Sequence, residues 1–120
     1  MKKDNQIADK SKAFAIRIIR LYKYLTSEKK ENILSRQILR SGTSIGANIR
    51  EALSAQSTAD FIAKLQIALK ETSETEYWLE LLEETEYISE NAGKSMHEDC
   101  EELLKMITAI LKTTKDNQSK

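Results

Sequence analysis

Apolar residues recur at alternating spacings of four and three through most of this chain, and that pattern leaves few folds open. Ile7, Phe14, Ile18, Leu21 and Leu25 follow it, with Ser11 in register. Leu34, Ile38, Ser41, Ile45, Asn48 and Ala52 repeat it. So do Phe61, Leu65, Ala68, Thr72, Thr75, Leu79 and Leu82, and then Ala92, Met96, Cys100, Leu103, Ile107 and Ile110. Residues so spaced form one stripe on an α-helix, and the stripe is stable only against other stripes. No proline interrupts the segments. The pattern predicts helices near residues 5–26, 30–55, 58–86 and 90–114 within one domain over 1–120 with frayed termini. The expected fold class is all-α, an antiparallel up-down-up-down four-helix bundle.

The breaks between segments are marked by capping chemistry. Ser57 followed by Asp60 resembles a capping box, with Asp in place of the usual Glu. Ser89 and Ser95 are both candidate caps for the fourth helix. Ser89 is preferred because Ala92 continues the stripe.

Bulk composition excludes several classes. Lys+Arg and Asp+Glu are both 19, so the formal net charge is zero. A protein that coats nucleic acid by overall charge is not expected. No apolar run approaches the roughly 18–20 residues that cross a bilayer, so no membrane partner is expected. The N-terminal residues lead into an amphipathic pattern rather than a signal-peptide apolar block. Cys100 is the only cysteine, so no internal disulfide forms. A cytoplasmic location is the simplest expectation.

The run Ser41-Gly42-Thr43-Ser44-Ile45-Gly46-Ala47-Asn48 places two glycines four apart inside a helix. Each costs about 1 kcal/mol relative to alanine there. Something must approach the backbone closely on that face, either another helix of the same chain or a second copy. Asn48 stands on the stripe where an apolar residue is expected, so it must find partners.

The apolar surface also exceeds what one small bundle can hide. In helix 1, Ala15, Ile16, Ile19 and Tyr22 fall outside the inward stripe. Leu39, Gly42, Gly46, Ile49 and Leu53 form a second stripe on helix 2, and helix 3 adds Ile67 and Trp78. These second faces predict a homo-oligomer in which copies meet. The alternative is that helices 1 and 2 are the most central elements of the monomer. Glu71 and Glu74 share a flank with Ile67 and Trp78 and need a cation there. Arg40 and Glu51 are the natural partner and competitor.

Catalytic motifs fail to assemble. His97 and Glu101 lie four apart, but no third ligand stands at a useful spacing, so no metal site is expected. Cys100 faces the stripe and reads as core. No nucleophile and base pair up, and Gly42 to Gly46 lacks the Lys-Ser/Thr of a phosphate loop. No enzyme activity and no cofactor are expected. Basic candidates are Lys10, Arg17 and Arg20 on helix 1, and Arg36, Arg40 and Arg50 on helix 2. In a ring of copies such a stripe multiplies into a continuous surface for a phosphate backbone.

Two stretches resemble a known family. They are Ser41-Gly42-Thr43-Ser44-Ile45-Gly46-Ala47-Asn48-Ile49-Arg50-Glu51-Ala52 and Ile67-Ala68-Leu69-Lys70-Glu71-Thr72-Ser73-Glu74-Thr75-Glu76-Tyr77-Trp78-Leu79. They look like the signatures of the bacterial four-helix-bundle family that includes the 23S rRNA intervening-sequence proteins. That family is similar in fold to the accessory protein of diversity-generating retroelements. The resemblance implies a pentameric ring, no known catalysis, and RNA or a nucleic-acid-processing protein as partner. Its ribosomal-protein label reflects gene location. By position, Asn48, Glu51, Glu71 and Glu74 match the family's recurrent polar residues. Many relatives carry a proline before helix 2, where Thr26-Ser27-Glu28 stands here.

Overall fold

The computed structural model describes residues 2–119. It holds four helices and, among the described residues, no strand: α1 (Lys2–Ser27), α2 (Leu34–Leu53), α3 (Thr58–Glu84) and α4 (Glu90–Gln118). They form a rod of 52 × 22 × 21 Å. No helix is long and apolar enough to cross a membrane among the described residues.

Each helix packs on the next in chain order, and α1 also touches α4. The contacts pair rising numbers on one helix with falling numbers on its neighbour. Gly42 meets Ile18 and Gly46 meets Ser11. Ser41 meets Thr75 and Glu51 meets Lys64. Gly93 meets Glu83, while Cys100 meets Thr72.

The core is built from the inward stripes. Ile7, Phe14, Ile18 and Leu25 are buried on α1, with Ile38, Ile45, Ile49 and Ala52 on α2. Leu65, Ala68, Leu79 and Leu82 complete it from α3, and Met96, Cys100, Leu103, Ile107 and Leu111 from α4. Polar groups in this core are matched. Thr75 Oγ1 lies 2.8 Å from Ser41 Oγ and 2.8 Å from the Glu71 carbonyl. The Cys100 thiol donates to the Thr72 carbonyl at 3.3 Å. Burial, and then the charges of Glu76, Glu101 and Asp99, push that thiol up to about 12.

Four expected positions on the inward stripe shift by one residue: Ser35 is buried in place of Leu34 and Leu111 in place of Ile110, and two more differ in the same way. Asn48 is only half-buried, and Ile49 at 0 % exposure takes its place. Asn48 Nδ2 donates to the Ser44 carbonyl one turn back at 2.9 Å, so the helix itself satisfies it. On α4, Gly93 is buried while Ala92 is exposed. A strict four-three alternation drifts from a 3.6-residue helix, and these are the places where the drift changes the inward residue.

The helix ends follow local chemistry. Ser57 Oγ accepts from the Asp60 amide, and Ser89 Oγ from the Ala92 amide, each at 3.1 Å. The start of α2 differs from expectation. Lys30 adopts a left-handed φ of 56°, so the helix cannot begin there. The Glu31 carboxylate instead accepts from the amides of Ile33, Leu34 and Ser35, at 3.3, 3.1 and 2.7 Å. Burial pushes its pKa up, but these amides outweigh burial and hold it below the usual glutamate value. At the end of α3, Glu86 has φ 66° and the Tyr87 amide reaches back to the Leu82 carbonyl at 2.9 Å. This is a Schellman-type stop with glutamate in the position glycine usually holds.

Candidate functional site

The close approach at the glycine pair lies between α1 and α2 of one chain. A Cβ on Gly42 would sit 2.7 Å from Ile18 Cγ1 and 2.9 Å from Ile18 Cδ1 and Cγ2. Gly46 is looser, with Ser11 Oγ at 3.4 Å from its would-be Cβ. The second stripe of helix 2 therefore divides. Gly42 and Ile49 are consumed inside the chain, and Leu39 is half-buried.

What stays uncovered is narrower. Ile16 and Ile19 on α1 are 41 % and 39 % exposed, Leu53 on α2 39 %, and Ile67 on α3 42 %. Tyr77 and Tyr24 are also exposed, and Ile33, just ahead of α2, is the most exposed large apolar residue at 75 %. Trp78 is half-buried against the core with its ring 5.3 Å from that of Tyr77. Its indole Nε1–H is shielded from solvent yet has no acceptor among the described residues.

Beside this surface lies an ion-pair network. Arg40 Nη1 donates to Glu71 Oε2 at 3.1 Å, and Arg40 Nη2 donates to Glu74 Oε2. One guanidinium thus bridges two carboxylates of α3, which suits its forked geometry. Glu51 stands apart, with Lys64 Nζ at 3.8 Å.

The basic residues do not form one free stripe. Lys10 pairs with Glu102 and Arg17 with Asp99, tying α1 to α4. Arg17 also donates to Ser95 Oγ at 3.0 Å. With Arg40 engaged as above, three of the basic candidates are neutralised within the chain. Arg20, Arg36 and Arg50 are exposed and have no ion-pair partner among the described residues. Arg36 and Arg50 lie fourteen residues apart on α2, about 21 Å along its axis.

A third potential ligand joins the His97 and Glu101 pair, which sequence spacing left without another. Glu76 comes from α3, and one ligand atom from each of the three residues lies within 4.8 Å of the others. His97 Nε2 is 3.4 Å from Glu76 Oε2. Hydrogen-bonding proximity to the Glu101 carboxyl, then burial and the Glu101 charge, push Glu76 above the usual glutamate range, with His97 opposing. Along the sequence Glu76 is 21 positions from His97, so no spacing motif connects them.

These features define a class: a four-helix protein with exposed apolar side chains on three of its helices and scattered free arginines. The comparisons with known proteins specify it further. The family model described as 23S rRNA-intervening sequence protein matches residues 3–109, and the chain belongs to that family. A crystal structure from Bacteroides thetaiotaomicron VPI-5482, of a protein of unknown function from the S23 ribosomal protein family, is similar in sequence and shape. It is 61 % identical, with a TM-score of 0.91, over 92 % of this chain and 98 % of that one. No curated protein matches the chain.

Proposed function

We propose that this chain is a non-enzymatic, cytoplasmic accessory protein that works as a homo-oligomer, a pentameric ring of antiparallel up-down-up-down bundles. The observation that carries the assembly is the uncovered apolar set Ile16, Ile19, Leu53 and Ile67. Burial of such side chains is worth about 1.5–3 kcal/mol each when complete, and water leaves that gain unused in a lone chain.

RNA, or an RNA-processing protein, is the proposed partner. Arg20, Arg36 and Arg50 supply the free positive charge, and a ring repeats each of them once per copy. Contacts of this kind hold phosphates without reading sequence. A second reading, a protein-interaction scaffold that binds no nucleic acid, is favoured by the neutralisation of Lys10, Arg17 and Arg40.

Light scattering tests the assembly. The expected mass is about five times the 13.7 kDa of the chain. A mass of one chain at every concentration refutes it. Filter binding to structured RNA over a salt series then separates the two readings. Affinity that falls with salt, and falls again when Arg20, Arg36 and Arg50 become alanine, supports RNA contact. No retention even at low salt leaves the scaffold.

A further inference from the structure

The cluster of Glu76, His97 and Glu101 includes none of the exposed apolar residues and none of the free arginines. Its chemistry is unusual for a merely solvated helix surface. Glu76 Oε2 is sealed from solvent and accepts no hydrogen bond among the described residues. A buried carboxylate oxygen without a donor is costly. His97 Nε2 stands 3.4 Å from that oxygen without a hydrogen bond to it, and the carboxyl of Glu101 on the other side brings a like charge when both acids are ionised. His97 approaches from one turn before Glu101 on the same face of α4. Packing does not demand this arrangement. The adjacent seam is already closed by the Cys100 thiol on the Thr72 carbonyl.

A divalent cation resolves every term at once: it supplies charge to both acids, fills the open valence of Glu76 Oε2, and takes the imidazole nitrogen. We propose that Glu76, His97 and Glu101 form a metal site that clamps α3 to α4 and selects a late first-row ion such as Zn2+. One nitrogen and two carboxylates match the preferences of Zn2+, whereas Mg2+ and Ca2+ prefer oxygen alone. Bonds of about 2.0–2.2 Å to such an ion put tetrahedral ligand atoms roughly 3.4 Å apart. The His97 and Glu76 atoms already stand at 3.4 Å. The remaining separations, within 4.8 Å, close by rotation about side-chain bonds. Three protein ligands leave a position for water, and the His97 side chain, at 38 % exposure, gives the ion a path in.

The test uses the full chain, stripped of metal with a chelator and titrated with ZnCl2 by calorimetry and by thermal melting. One Zn2+ per chain is expected, with a melting point raised by roughly 10 °C at a hundredfold excess over Kd. Mg2+ at the same concentration leaves the melting point unchanged. His97→Ala and Glu101→Gln each weaken Zn2+ binding at least tenfold. Glu101→Gln retains the fold because it removes a like charge, and circular dichroism of the apo variant checks this. Absence of heat and of any melting shift up to about 1 mM Zn2+ overturns the proposal and leaves a proton shared between the two acids. Undiminished binding in both variants overturns it equally, since the ion then sits elsewhere.

Discussion

The two helical glycines look alike in sequence, yet alanine at each should act in opposite directions. At Gly42 the new Cβ meets three carbons of Ile18 at 2.7–2.9 Å, closer than real Cβ contacts come. Ile18 is 0 % exposed and β-branched, so its side chain has no open rotamer to retreat into. Overpacking of this kind costs about 1–3 kcal/mol. The better helix propensity of alanine returns about 1 kcal/mol. Gly42→Ala should therefore destabilise by up to about 2 kcal/mol. At Gly46 the nearest atom is Ser11 Oγ at 3.4 Å, an ordinary contact. There the propensity gain dominates, and Gly46→Ala should stabilise by about 0.5–1 kcal/mol. Urea unfolding followed at 222 nm reads the difference. A gap of about 2 kcal/mol moves the two midpoints apart by roughly 1 M. The cause is tested by Ile18→Ala, which removes the three clashing carbons. In that background Gly42→Ala should cost nothing, a coupling of at least about 1 kcal/mol. Equal stability of the two single alanine variants would refute the close-approach argument.

Four further outcomes follow from the same contacts. Glu31→Gln should cost about 1 kcal/mol at neutral pH by weakening the amide cap of α2. Because the folded carboxyl titrates below its usual value, its stabilisation is complete above the ordinary glutamate range and is lost as pH falls through the folded value. The variant's stability should thus lose part of the wild-type pH slope on the acid side, measurable by melting from pH 7 downward. Arg40→Ala should cost about 1 kcal/mol, the exposed guanidinium limiting the value, and the loss should shrink in high salt. Glu86→Gly should stabilise by about 1 kcal/mol in urea unfolding, since the left-handed φ of 66° burdens a side chain but not glycine. Cys100, buried and with its pKa pushed up to about 12, should react with an aromatic disulfide at pH 8 only after unfolding.

Much of the fold is legible because it rests on periodicity. Phe14, Ile18, Leu65, Leu79, Leu103 and Ile107 all point inward where the four-three spacing puts them. Ser57 and Ser89 cap because a hydroxyl before an apolar stripe has few other uses. The misses have a common origin. Asn48 and Ile49, or Ala92 and Gly93, differ by one residue, about 100° of rotation, and only the neighbouring helices decide which turns in. Glu31 escaped notice because the cap is a longer acid placed ahead of the helix. The signal was present, an acid three residues before Leu34 with Ser35 next in line.

The candidate sites were less readable. Arg40 with Glu71 and Glu74 could be anticipated, since half-buried acids beside large apolar groups require a cation. Lys10 and Arg17 could not be assigned, because their acids, Glu102 and Asp99, lie on a distant helix. The same distance hid Glu76 from His97 and Glu101.

Sequence by itself determined that this chain is helical and, to within a few residues, where its helices and their inward stripes lie, because those properties arise from residues within a few turns. Tertiary structure alone decided that Gly42 serves Ile18, which arginines keep their charge free, and that a second carboxylate, Glu76, faces His97. Each of these depends on which helix lies opposite, and the chain brings those partners together only by folding.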